Sequence, residues 1–61
     1  MKYKQIKNNT RQGLEVVLKR PTGGFKHVWL AAKSSIIVSE AEVTDLAERA
    51  ARRELVSITP A

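Results

Sequence analysis

The sequence predicts a small α+β domain: a strongly bent antiparallel sheet curling into a barrel, with one amphipathic helix before its last strand (β-β-β-β-α-β). Three observations lead there. One long segment, from Val38 to Arg53, repeats its apolar residues at the helical period. The remainder breaks into short runs rich in β-branched and aromatic residues, punctuated by Asn, Gly, Pro and Ser. And 61 residues without a cysteine allow a single domain, residues 1–61, with neither a disulfide nor a thiolate metal site to hold it. A chain this short buries only about 60% of its unfolded surface. Its elements must therefore cover one another well, or share a surface with a partner.

The helix is expected over residues 39–53. Ser39 followed by Glu42 has the spacing of a capping box, and Val38 and Val43 the spacing of a hydrophobic staple. Val43, Leu46, Ala47 and Ala50 make one apolar stripe. Glu40, Glu42 and Asp45 lie early, and Arg49, Arg52 and Arg53 late, which complements the helix dipole. Too short to persist alone in water, the helix must lay its stripe across the open end of the sheet.

The strands follow in order. Tyr3–Lys7 is polar and lysine-rich and suits an edge strand. Asn8, Asn9, Thr10, Gln12 and Gly13 carry turn chemistry. Leu14–Lys19 alternates cleanly: Leu14, Val16 and Leu18 on one face, Glu15, Val17 and Lys19 on the other. Arg20-Pro21-Thr22-Gly23-Gly24 predicts a turn, and Phe25–Ala31 the returning strand of a hairpin. That strand is apolar on both sides, with Phe25, His27 and Trp29 opposed to Lys26, Val28 and Leu30. Two explanations compete. A curled sheet covers both faces, which places Trp29 in the barrel core as the lone Trp of a small domain. Alternatively, Phe25 and Trp29 dock on another chain, being residue types enriched at binding hot spots. Ser35–Val38 and Leu55–Thr59 complete the sheet, Pro60 ending the ladder. The predicted core is Leu14, Val16, Leu18, Val28, Leu30, Ile36, Val38, Val43, Leu46, Ala47, Ala50, Val56 and Ile58.

The chain carries net charge +5, unevenly placed. Lys2, Lys4, Lys7, Arg11, Lys19, Arg20, Lys26 and Lys33 face a single acid, Glu15, in the first half, whereas five acids outnumber three arginines in the second. Such asymmetry marks either a polyanion-binding face or a solvated surface that keeps a small domain dispersed. No run of about 20 apolar residues could span a membrane. No charged-then-apolar leader opens the chain, so a secretory signal is not expected.

The run from Leu14 onward (a strand, a Gly-containing turn, FKHVWL, a polar connection, SIIVSE, a helix and LVSI) resembles the small SH3-like β-barrel structural proteins of tailed bacteriophages. The resemblance covers roughly 45 residues of hydrophobic pattern. That group commonly has a Pro-Gly turn where this chain has Ala31-Ala32-Lys33-Ser34. The resemblance implies a virion component: a capsid decoration or cement protein, or a ring-forming part of the neck or tail. It carries no catalytic residues.

No enzyme chemistry is expected. His27 lacks the nucleophile and orienting partner that a general base needs. The helix acids have neither the spacing nor the glycine of an oxygen-ligand calcium loop. Thr22-Gly23-Gly24 is not followed by a phosphate-loop motif. The expectation is a non-enzymatic virion protein without cofactor or membrane contact, acting in multiple copies against major capsid, neck or tail subunits through Tyr3, Phe25 and Trp29. It would be found in the virion, and in host cytoplasm during assembly. The alternative is a small basic nucleic-acid-binding barrel, with Lys4, Lys7, Arg11, Lys19, Arg20, Lys26 and Lys33 on phosphates and the aromatics stacking bases. In the virion, the same basic half would meet acidic capsid surface or packaged DNA.

Overall fold

Short alternating runs pair into strands wherever a turn returns the chain, and the computed structural model, which describes residues 2–61, has five of them. They are β1 (Tyr3–Asn8), β2 (Leu14–Lys19), β3 (Phe25–Leu30), β4 (Ser35–Ser39) and β5 (Val56–Pro60). A 3-10 turn (Glu40–Glu42) and helix α1 (Asp45–Arg52) lie between β4 and β5. The fold is mixed α+β.

The strands form two antiparallel sheets, β4-β1-β5 and the hairpin β2-β3. The predicted closed barrel is therefore corrected. Closing one would need a strand that turns the corner from sheet to sheet, by a bulge or a glycine kink. None of the five strands contains an internal glycine or runs from one sheet into the other. The inner faces pack instead: Ile6, Val38 and Val56 from one sheet meet Val16, Leu18 and Leu30 from the other, with Ala47 of α1. A single bridge, Leu18 to Val43, ties β2 to the segment before the helix.

β1 is the central strand, not an edge. Ile6 stands opposite Ile36 and Ile58 and is wholly buried. The sequence pattern does not mark it as core because the strand's other apolar residue, Tyr3, has the opposite parity. Lys7 lies on the solvated face, whereas Lys4 shares the parity of Ile6 and is half-buried near the strand's start.

The helix begins later than its sequence pattern implies. Ser39 caps only the 3-10 turn, its Oγ accepting from Ala41 N–H at 3.4 Å. Val43 is extended and bridged to Leu18. Thr44 is the helix cap: its Oγ1 accepts from Ala47 N–H at 3.2 Å and donates to the Val17 carbonyl at 2.7 Å, fixing α1 to β2. Counted from Thr44, the inward positions become Ala47, Ala50 and Ala51. Leu46, predicted as core, turns outward and is 52% exposed.

α1 ends in a Schellman motif. Leu55 N–H donates to Ala50 O and Glu54 N–H to Ala51 O, both at 3.0 Å. Glu54 holds the left-handed position at φ 64°, where an L side chain costs roughly 1–2 kcal/mol and glycine nothing comparable. Glu54→Gly is expected to stabilise the domain by about 1 kcal/mol, raising its thermal midpoint by roughly 4–8 °C. A scanning calorimetry trace showing no rise would mean that the motif is not formed in solution.

Candidate interaction surface

The β2–β3 ribbon has one face for the core and one left over. Leu14, Val16, Leu18, Val28 and Leu30 point inward. Glu15, Val17 and Lys19 stand opposite Trp29, His27 and Phe25 on the outer face. A two-stranded ribbon can press only one side against the other sheet. Trp29 is accordingly 69% exposed and Phe25 62% exposed. Of the two explanations for this strand, the one that buries Trp29 in a barrel core is set aside: Val28 and Leu30 take the core side of β3. Strand rise places the two aromatics roughly 13 Å apart on one face. Between them His27 Nδ1 lies 2.7 Å from Glu15 Oε1, an exposed pair that solvent screens.

The outer edge of β3 is also unpaired, since its sheet has two strands only. Arg20 N–H donates to Gly24 O at 3.0 Å at the hairpin's end. Ladder alternation then turns the N–H and C=O groups of Phe25, His27 and Trp29 away from β2. The same three residues thus offer side chains on the outer face and backbone groups along its border.

Two polar features hold the Trp29 end of this face. Asn8, at the end of β1, is a strand residue and not part of a turn, and it is fully buried. Its Nδ2 donates to the carbonyls of Gln12, Leu30 and Ala31 at 2.8, 3.1 and 3.2 Å. Its Oδ1 accepts from Thr10 N–H at 2.8 Å and from Thr10 Oγ1 at 2.6 Å. One side chain therefore joins β1, the loop before β2 and the end of β3. That loop delivers Gly13 beneath the indole: a Cβ on Gly13 would lie 2.0 Å from Trp29 Cζ2. Gly13→Ala is expected to push the ring off its seat, seen as a changed Trp emission maximum with the circular dichroism spectrum retained. An unchanged spectrum would show that the indole does not rest there.

The other residues singled out in the sequence are dispersed. Tyr3 opposes Ser39 on the second sheet and does not join Phe25 and Trp29. Lys19 faces Phe25 across the ribbon, and Arg20 opens the hairpin turn. Lys26 points to the inner side and pairs with Glu42 at 3.3 Å. Lys4 and Lys7 lie on opposite faces of β1, Arg11 is in the loop, and Lys33 Nζ donates to Asn9 O at 2.8 Å. Among the described residues no trio of His, Cys, Asp or Glu converges as a metal site. Nor is any of their helices long and apolar enough to cross a membrane.

No protein-family model, characterised protein or solved structure matches this chain. Function is therefore read from the surface. Asn8 and Gly13 hold the Trp29 end of that surface, and turn chemistry alone does not mark either as functional. The hairpin parity that grouped Phe25 with Trp29 also implied Glu15 and Val17 as their neighbours.

Proposed function

We propose that this chain is a non-enzymatic structural protein of a tailed-phage particle, SH3-like in ancestry, that docks on neighbouring subunits through the outer face of its β2–β3 ribbon. The observation that carries this reading is the exposure of Phe25 and Trp29 on one face beside an unpaired strand edge. Large aromatics left in solvent gain free energy when a partner covers them, and interface hot spots are enriched in tryptophan. The partners are major capsid, neck or tail subunits. Many copies in a symmetric shell or ring turn modest single contacts into firm attachment.

The test is copy number in purified particles, by quantitative mass spectrometry against the major capsid protein. Several hundred copies indicate shell decoration, and about six to twelve indicate a neck or tail ring. Absence from the particles sinks the virion reading. The Phe25→Ser/Trp29→Ser double variant is expected to fold and to be lost from particles.

A nucleic-acid-binding role is favoured by the same exposed indole, which could stack on a base. Against it, the residue directly across from Trp29 is Glu15, and the basic side chains spread over both sheets. Titrating a single-stranded oligonucleotide at low and moderate salt, with Trp29 emission as the signal, separates the readings. Quenching that weakens steeply with salt supports nucleic acid; no quenching leaves the protein-docking surface.

A further inference from the structure

The two sheets part along one side of the domain, and the free edge of β4 borders the gap. A groove of about 790 Å³ runs there, lined by four consecutive β4 residues, Ile36 to Ser39. A strand's face shows only alternate residues, so a consecutive run means that the groove follows the strand's edge. Leu18, Val28 and Val38 supply its apolar floor, and Lys19, Arg20 and Lys26 its opposite wall, with Glu42 beside Lys26.

Among the described residues β4 pairs with β1 alone. Hydrogen bonds at both ends of that ladder set its phase: Asn8 N–H to Ser34 O at 2.8 Å, and Glu40 N–H to Lys2 O at 3.0 Å. The backbone groups of Ser35, Ile37 and Ser39 must then point away from β1, with no backbone partner among the described residues. Ile37 is 66% exposed beside them. Donors, acceptors and apolar floor together have the form of a site for an added strand.

We propose that this edge binds an extended acidic segment of a partner protein as an additional strand, its alternate side chains entering the groove and its carboxylates meeting Lys19 and Arg20. The inference rests on the protein-docking reading above and names the chemistry of one partner contact, at the β4 edge, which adjoins the Phe25–Trp29 surface only at Lys19. Charge selects the occupant. Lys26 is already paired with Glu42, whereas Lys19 and Arg20 have no carboxylate within ion-pair distance among the described residues. A second copy is a poor occupant. The chain is +5, and apart from Glu15 its acids lie on or beside α1 and the 3-10 turn, so it has no acidic strand to offer.

The test uses the full chain, isotope-labelled for NMR, and two short capped peptides, one alternating valine with glutamate and one alternating valine with lysine. The glutamate peptide is expected to shift the amides of Ile37 and Ser39, slow their hydrogen exchange, and saturate below about 1 mM. Lys19→Glu/Arg20→Glu should weaken it by at least about tenfold while leaving the thermal midpoint in place. Ile37→Pro, which removes an outward donor without touching the β1 ladder, should abolish it. Equal binding of the lysine peptide, shifts confined to Phe25 and Trp29, a β4-to-β4 dimer in sedimentation, or no shift at about 1 mM would each overturn the proposal. Loss of the Phe25→Ser/Trp29→Ser variant from particles is read separately. If that loss is seen and the peptide does not bind, the groove is dismissed and the ribbon surface stands.

Discussion

Asn8→Asp is expected to destabilise the domain by more than about 3 kcal/mol at neutral pH, a large share of the stability of a chain this size. The Asn8 amide sits between three carbonyl oxygens on one side and two Thr10 donors on the other, so the network itself orients it. An isosteric carboxylate keeps the Thr10 bonds and turns the donating side into an oxygen facing three oxygens. Buried charge without a counter-ion adds its desolvation cost. Both effects favour the protonated acid and raise the folded-state pKa of the introduced carboxyl above its unfolded value of about 3.9. The folded state then holds the proton more tightly, and stability must fall as pH rises. Below about pH 4 the charge penalty is absent; above it, stability declines until the folded carboxyl ionises too. Urea unfolding from about pH 3 to 8 reads this directly. A loss equal at every pH would mean that the side chain does not face the three carbonyls. Asn8→Leu should also be costly, but without pH dependence, because it removes one donor shared by three carbonyls and the acceptor of Thr10 N–H.

Ile6→Ala is expected to cost about 3–4 kcal/mol, and Leu46→Ala almost nothing. Ile6 lies at the centre of the three-stranded sheet with Ile36 and Ile58 on either side, and nothing nearby can close over the lost volume. Leu46 projects from α1 into solvent, and alanine has the higher helix propensity. Denaturant midpoints at unchanged m-value would measure both. Comparable losses at the two positions would place the helix one residue out of phase with the structure described above.

That contrast shows where pattern reading succeeds. Leu14–Lys19 alternates without exception and turns through Pro21 and two glycines at φ 105° and 77°, so the ribbon and the grouping of Phe25 with Trp29 were legible. β1 was legible as a strand but not as the central one, because whether a strand is an edge or a centre depends on which others reach it. The helix was legible in existence but not in phase. Ser39 and Thr44 are both competent caps, and the choice between them is made by Val17, whose carbonyl receives the Thr44 hydroxyl from 27 residues away.

The chain's local chemistry, then, was sufficient for its strands, its hairpin turn, the existence of its helix and the sorting of side chains into two faces per strand. These depend on neighbours one to four residues apart. Which face of β3 meets solvent, why Asn8 is buried, and where β4 leaves an edge open depend on contacts between distant segments. Pairing of β1 with both β4 and β5 closes one sheet around Ile6, while β2 and β3 pair with each other. That division into two sheets leaves Trp29 exposed and opens the groove beside Ile37, and no local pattern encodes it.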